Sequence, residues 1–171
     1  MTAATEVHTV YALDLDRYLG RWFEIGRLPM KHEDDGATDV TATYSLQEDG
    51  AIRVDNRCFD DKGEPTQAIG EATPVEGATA KLEVSFLPEG LRWIPFTKGD
   101  YWVLRIDPAY RISLVGTPDR RNLWLLAREP AIDPAVEAEY LAAARAQGFD
   151  LTDWIRTPQS GRSVTDDMLD D

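Results

Sequence analysis

Between residues 20 and 128 apolar side chains recur at every second position in short runs, and a turn signal ends each run. A period of two is the mark of a β-strand with one buried face. The first run covers 21–28 and stops at Pro29, and the second, 40–46, sets Val40, Ala42, Tyr44 and Leu46 opposite threonines and a serine. Asp49-Gly50, a strong hairpin signal, then leads to 52–59, with Ile52, Val54, Asn56 and Cys58 on the matching face. A turn at 61–65 follows, then 66–73, whose inner face holds only Ala68, Gly70 and Ala72. Further strands are predicted at 81–87, with Leu82, Val84 and Phe86 inward, and at 100–106, 111–116 and 123–128. Before them, 14–19 reads as a helical turn capped by Asp14 or Asp16, entered from an arm, 1–13, that packs on the barrel end. The prediction is all-β: an eight-stranded antiparallel up-and-down barrel, since closure removes both edges and no crossover helices permit parallel order.

The period changes once. Asp133-Pro134 is an N-cap with proline at the first helical position; Val136, Tyr140, Leu141, Ala143 and Ala144 share a face, and Gly148 supplies the stop. One amphipathic helix of this length suits the outer wall of the barrel. Residues 149–157 predict a short last strand, and the polar, acidic 158–171 a disordered tail. The domain expected is single, 1–157, with its core at 18–157.

Composition removes several function classes. Eighteen Lys+Arg against 31 Asp+Glu leave a formal charge of −13, which repels nucleic acid and anionic membrane surfaces. The single cysteine, Cys58, excludes an internal disulfide. No window has the length of an integral membrane segment, so the sequence as given predicts a soluble chain, cytoplasmic or a periplasmic domain without its signal. His32 with Glu33, Asp34 and Asp35 lies in one loop, where consecutive side chains do not converge, so no metal is expected. No nucleophile elbow, zincin helix or phosphate loop occurs, and neither a cofactor nor a catalytic residue is predicted.

Three motifs carry a resemblance. Gly20-Arg21-Trp22 looks like the first-strand signature of the lipocalins, Thr117-Pro118-Asp119-Arg120 resembles the turn between their last two barrel strands, and Arg128 matches the arginine that ends their eighth strand and packs on the tryptophan. From Tyr18 to about Trp154 the chain is similar to bacterial outer-membrane lipocalins, plant temperature-induced lipocalins and, more distantly, apolipoprotein D. The resemblance implies a cup that binds, carries or stores a small hydrophobic ligand such as a fatty acid or lysophospholipid. The bacterial outer-membrane members carry an export signal and a lipid-modified cysteine at the mature start, and the start of this sequence resembles neither.

Alternation and loop position give the candidate ligand-binding residues: Met30, Ala42, Tyr44, Val54, Asn56, Cys58, Ala68, Gly70, Val84, Phe86, Trp93, Phe96, Tyr101, Val103 and Trp124. Small residues facing aromatics suit a cavity in an eight-stranded barrel, the alternative being a core filled by its own side chains. Tyr44, Asn56 and Tyr101 are candidates to orient a ligand head, or else make structural hydrogen bonds. Cys58 reads as a small hydrophobe, with a reactive thiol as the alternative. The apolar loop with Trp93, Ile94, Pro95 and Phe96 is a rim, a plug or a homodimer patch, so monomer and weak homodimer both stay open. The alternative function is a small-molecule enzyme on this fold, which needs Arg105 to point inward beside Asn56 and Tyr101. Gly20, Trp22, Thr117, Asp119 and Arg128 are predicted to be structural, sealing the end opposite the mouth.

Overall fold

In the computed structural model, residues 6–29, 36–86 and 98–169 are described. A one-turn helix α1 (Leu15–Tyr18), capped by the Asp14 carboxylate, leads into β1 (Gly20–Arg27). The meander continues through β2 (Thr38–Leu46), β3 (Ile52–Phe59), β4 (Pro65–Pro74), β5 (Lys81–Phe86), β6 (Lys98–Ile106), β7 (Ile112–Gly116) and β8 (Leu123–Ala127). Helix α2 (Pro134–Ala146), β9 (Ile155–Arg156) and a short α3 (Asp166–Leu169) follow. Every neighbouring pair is antiparallel, and β1 pairs with both β8 and β2, so the eight strands close into a barrel with β9 added on β1.

Two apolar clusters lie on either side of the wall. Inside, Trp22, Ala42, Tyr44, Val54, Ala72, Val84, Val103, Val115 and Leu126 pack with Leu13 and Tyr18. Outside, Ile25, Leu104, Leu114, Leu123, Leu125 and Ala127 form the seat for Tyr140 and Ala144 of α2 and for Phe149. The alternation of β8 divides Trp124 and Leu126 from Leu123, Leu125 and Ala127, which is why one five-residue strand serves both clusters.

The end nearest α1 is closed. Tyr18 and Leu13 fill it, and the Val10 N–H donates to the Val103 carbonyl, drawing the arm across the floor. Gly20 adopts φ +103°, which favours glycine, and a Cβ there would stand 3.2 Å from the Arg128 guanidinium.

Two expectations for the C-terminal part need correction. The last strand spans only Ile155–Arg156. Residues 158–169, expected to be disordered, form a strap over the outer wall at β2–β4. Strands β1 and β2 are laddered only from Gly20↔Tyr44 to Phe23↔Thr41, and beyond that point the strap completes the wall. The Asp39 N–H donates to the Pro158 carbonyl, the Gln159 Nε2 donates to the carbonyls of both Glu24 and Val40, and Ser160 donates from N and Oγ to the Asp39 carboxylate. Farther on, Arg57 binds the Val164 carbonyl and the Asp166 carboxylate, and Arg162 lies 4.0 Å over the Phe59 ring. A polar sequence is held here because the open seam offers it unpaired backbone groups, which composition does not reveal.

Candidate functional site

The register shows which predicted residues meet. Ala42, Asn56 and Ala68 stand in one row across β2, β3 and β4, and Tyr44, Val54, Gly70 and Phe86 in the next. Opposite partners in an antiparallel pair share a face, and Ala42, Tyr44 and Val54 belong to the inner cluster, so both rows face the interior. Val84, Val103 and Trp124 also face inward, while Cys58, on the same face of β3, makes a 3.0 Å contact between its Sγ and the Thr66 Oγ1. At Gly70 a Cβ would lie 2.7 Å from the Ser85 carbonyl oxygen and 3.0 Å from Phe86, so the missing side chain lets Phe86 approach the β4 backbone. Met30, Trp93 and Phe96, the candidates for the rim, lie outside the described residues, as does the His32 loop.

Four inward residues keep part of their surface open to solvent: Asn56, Phe86, Tyr101 and Trp124 are half-buried. Side chains on the inner face of a closed barrel reach solvent only through the barrel's own space. Around them the wall is buried small residues, Ala42, Ala68 and Gly70.

Below this level the interior is plugged by hydroxyls that bond one another. Tyr101 Oη is 2.7 Å from Tyr18 Oη and 2.8 Å from Tyr44 Oη, and Tyr18 Oη is 2.8 Å from Ser113 Oγ. Their rings stack at centroid distances of 5.8 Å (Tyr18 with Tyr44) and meet edge-on at 5.8 Å (Tyr44 with Tyr101). Burial pushes the Tyr18 phenol up to about 12 and raises Tyr44 and Tyr101 as well, because a phenolate there would lose its hydration. Between these rings and Leu15, Leu19, Ile52 and Leu82 lies an apolar cavity of about 20 Å³, room for a water-sized group.

Sequence reasoning missed Tyr18, Ser113 and a third polar group. Glu24 and Arg27 are register partners of Leu126 and Trp124, so both point into the barrel, and they form a 2.8 Å ion pair with Arg27 0% exposed. Thr157 donates its hydroxyl to the same Glu24 carboxylate at 2.6 Å. Alternation from Trp22 already placed Glu24 inward, and that parity was the available signal. Arg27 shares its side only because the β1–β8 register shifts between Glu24 and Gly26.

Arg105 does not enter the cup. The β6–β7 register shifts between Val103 and Arg105, turning the guanidinium outward, 4.8 Å over the Tyr140 ring of α2 and 2.7 Å from Glu139. The inward cation on which the enzymatic alternative rested is therefore absent at that position. Among the described residues no group of three or more His, Cys, Asp or Glu converges as a metal site would. No helix among them is long and apolar enough to cross a membrane.

The structural motifs are also in place. Arg128 lies 3.8 Å over the Trp22 ring and donates to the carbonyls of Tyr110, Arg21, Arg17 and Tyr18. Thr117 donates its hydroxyl to Asp119 at 2.6 Å, and Asp119 also accepts from the Arg121 N–H. Although burial raises the Asp119 carboxyl, these hydrogen bonds outweigh it and hold the group below its usual range.

Residues 13–159 match the family model described as a lipocalin-like domain. Temperature-induced lipocalin-1 of Arabidopsis thaliana is 37% identical over 163 residues, covering 94% of this chain and 87% of that protein. The outer membrane lipoprotein Blc of Escherichia coli (strain K12) is 41% identical over 157 residues, covering 91% and 84%. Apolipoprotein D of Bos taurus is 30% identical over 161 residues, covering 86% and 80%. Among solved structures, insecticyanin from the tobacco hornworm Manduca sexta superposes with a TM-score of 0.72 at 18% identity, covering 93% of this chain and 87% of that one, a likeness of fold.

Proposed function

Because the chain belongs to the lipocalin family, known for binding small hydrophobic ligands, we propose that its barrel carries or stores a lipid-like molecule such as a fatty acid or a lysophospholipid. The observation that carries this reading is the set of inward yet half-buried side chains, Asn56, Phe86 and Trp124, above a floor sealed by the tyrosines. Apolar surface that faces an enclosed space and remains wet gains about 25 cal/mol per Å² when a ligand covers it. Two aromatic rings, Phe86 and Trp124, contribute to that surface, and the small wall residues leave the width in which a ligand chain lies. We place the mouth at the end away from α1, where β1 and β5 end.

The test is titration of delipidated protein with a panel of fatty acids and lysolipids, followed by tryptophan fluorescence in the wild type and in Trp124→Phe. Saturable quenching that is reduced in Trp124→Phe is expected. A flat response across the panel would refute the reading.

A further inference from the structure

On the reading that the barrel is a binding cup for lipid-like molecules, we propose that Asn56 narrows that class, favouring over an ionised fatty acid a ligand whose apolar chain carries a neutral hydrogen-bonding group, a hydroxyl, ester or amide. Apart from the Trp124 indole N–H, which can only donate, the other polar side chains described on the inner face have partners. Tyr18, Tyr44, Tyr101 and Ser113 bond one another, Thr157 and Arg27 both bond Glu24, and Cys58 contacts Thr66. The Asn56 amide is different: it makes no hydrogen bond to a described residue, and it stands half-buried in a row between Ala42 and Ala68, whose methyl groups offer it none. A carboxamide presents two N–H donors and one carbonyl acceptor and carries no charge. In an otherwise apolar enclosure it rewards a partner that both donates and accepts, and it penalises one that leaves it unsatisfied.

Charge decides the sign of the head group. An ionised head beside Asn56 would give up hydration in a chain of net charge −13. Arg27 faces the interior, and its charge is balanced by the Glu24 carboxylate at 2.8 Å. An anion thus finds no compensating charge at this level, whereas a neutral group loses little by entering. Toward the floor from Asn56 the next row holds Tyr44 and Val54, where the free space is only about 20 Å³, so the head group rests at the level of Asn56 above the tyrosines and the apolar chain runs toward the mouth.

The experiment is displacement of N-phenyl-1-naphthylamine from the full chain by hexadecanol, by its methyl ether, which has lost the donor, and by ionised palmitate. The wild type is expected to prefer hexadecanol over either competitor by about tenfold, equivalent to about 1.4 kcal/mol. Asn56→Leu, which keeps the volume, and Asn56→Ala, which adds space, should both bring the alcohol-to-ether ratio close to one while the ether binds as before. An unchanged ratio in both variants, or a wild type that prefers palmitate tenfold, would overturn the proposal. If neither the naphthylamine nor any of the three compounds binds the wild type, the cup reading itself fails and this assignment falls with it.

Discussion

Replacing Arg128 by alanine tests whether the closed end is purely structural. The guanidinium covers a Trp22 ring that is 0% exposed and closes four backbone carbonyls drawn from the α1–β1 segment and from Tyr110. The hydrogen bonds to Arg17 and Arg21 are exposed, so those carbonyls accept water at little cost. Those to Tyr18 and Tyr110 are partly buried and contribute about 1 kcal/mol each. The cation over the indole adds about 1 kcal/mol. A loss of about 3 kcal/mol is expected, which for a chain of this size lowers Tm by about 6 to 12 °C. Thermal melting followed by far-ultraviolet circular dichroism reads it directly. Arg128→Lys should recover less than half, since an ammonium sits over the ring but lacks the fork that spans several carbonyls. Ligand preference should be unaffected, because the site lies behind the tyrosine plug, on the far side from Asn56. A melting point within about 2 °C of wild type, or an altered ligand profile with unchanged melting, would refute the division of the barrel into a structural and a binding end.

Two further outcomes follow from the floor and the seam. The native state keeps phenol protons on Tyr18, Tyr44 and Tyr101 that the unfolded chain releases near pH 10, so their contribution is intact below about pH 10 and is lost as pH rises above it, for Tyr18 through about 12. Phenolate absorbance should therefore show these three of the six tyrosines titrating only together with loss of the native circular dichroism signal; independent titration near 10 would disprove the hydroxyl cluster. At the seam, Gln159→Ala removes the donor shared by Glu24 and Val40 and should lower stability by about 1 to 2 kcal/mol in urea. Asp166→Asn, at the exposed end of the Arg57 pair, should change it by less than about 1 kcal/mol, and equal effects would show that the strap is not anchored at the seam.

Much of this molecule is local in origin and was legible as sequence. Period-two alternation in strands of five to ten residues follows from the pleat itself, so the inward placement of Ala42, Val54, Val84 and Trp124 needed no knowledge of the partner strands. The same holds for Asp133 capping α2 and for the hairpin at Asp49-Gly50, because caps and tight turns are satisfied by residues a few positions away. The Trp22–Arg128 contact was legible for a different reason: closing the barrel brings the first and last strands together, and a guanidinium is the cation best suited to lie flat on an indole while bonding carbonyls.

What only the tertiary structure decided lies where registers slip or distant backbones meet. A shift of one position on β6 turned Arg105 from a candidate catalytic cation into a support for α2, and a shift on β1 brought Arg27 inward to Glu24. The two hydroxyls that looked capable of holding a ligand, Tyr44 and Tyr101, proved to bond each other and Tyr18, which left Asn56 as the candidate amide with capacity to spare. The acidic tail is held because β1 and β2 part after Phe23↔Thr41 and leave carbonyls to be bonded. Each of these outcomes depends on which groups remain unpaired after the barrel closes, and a strand's own residues do not carry that information.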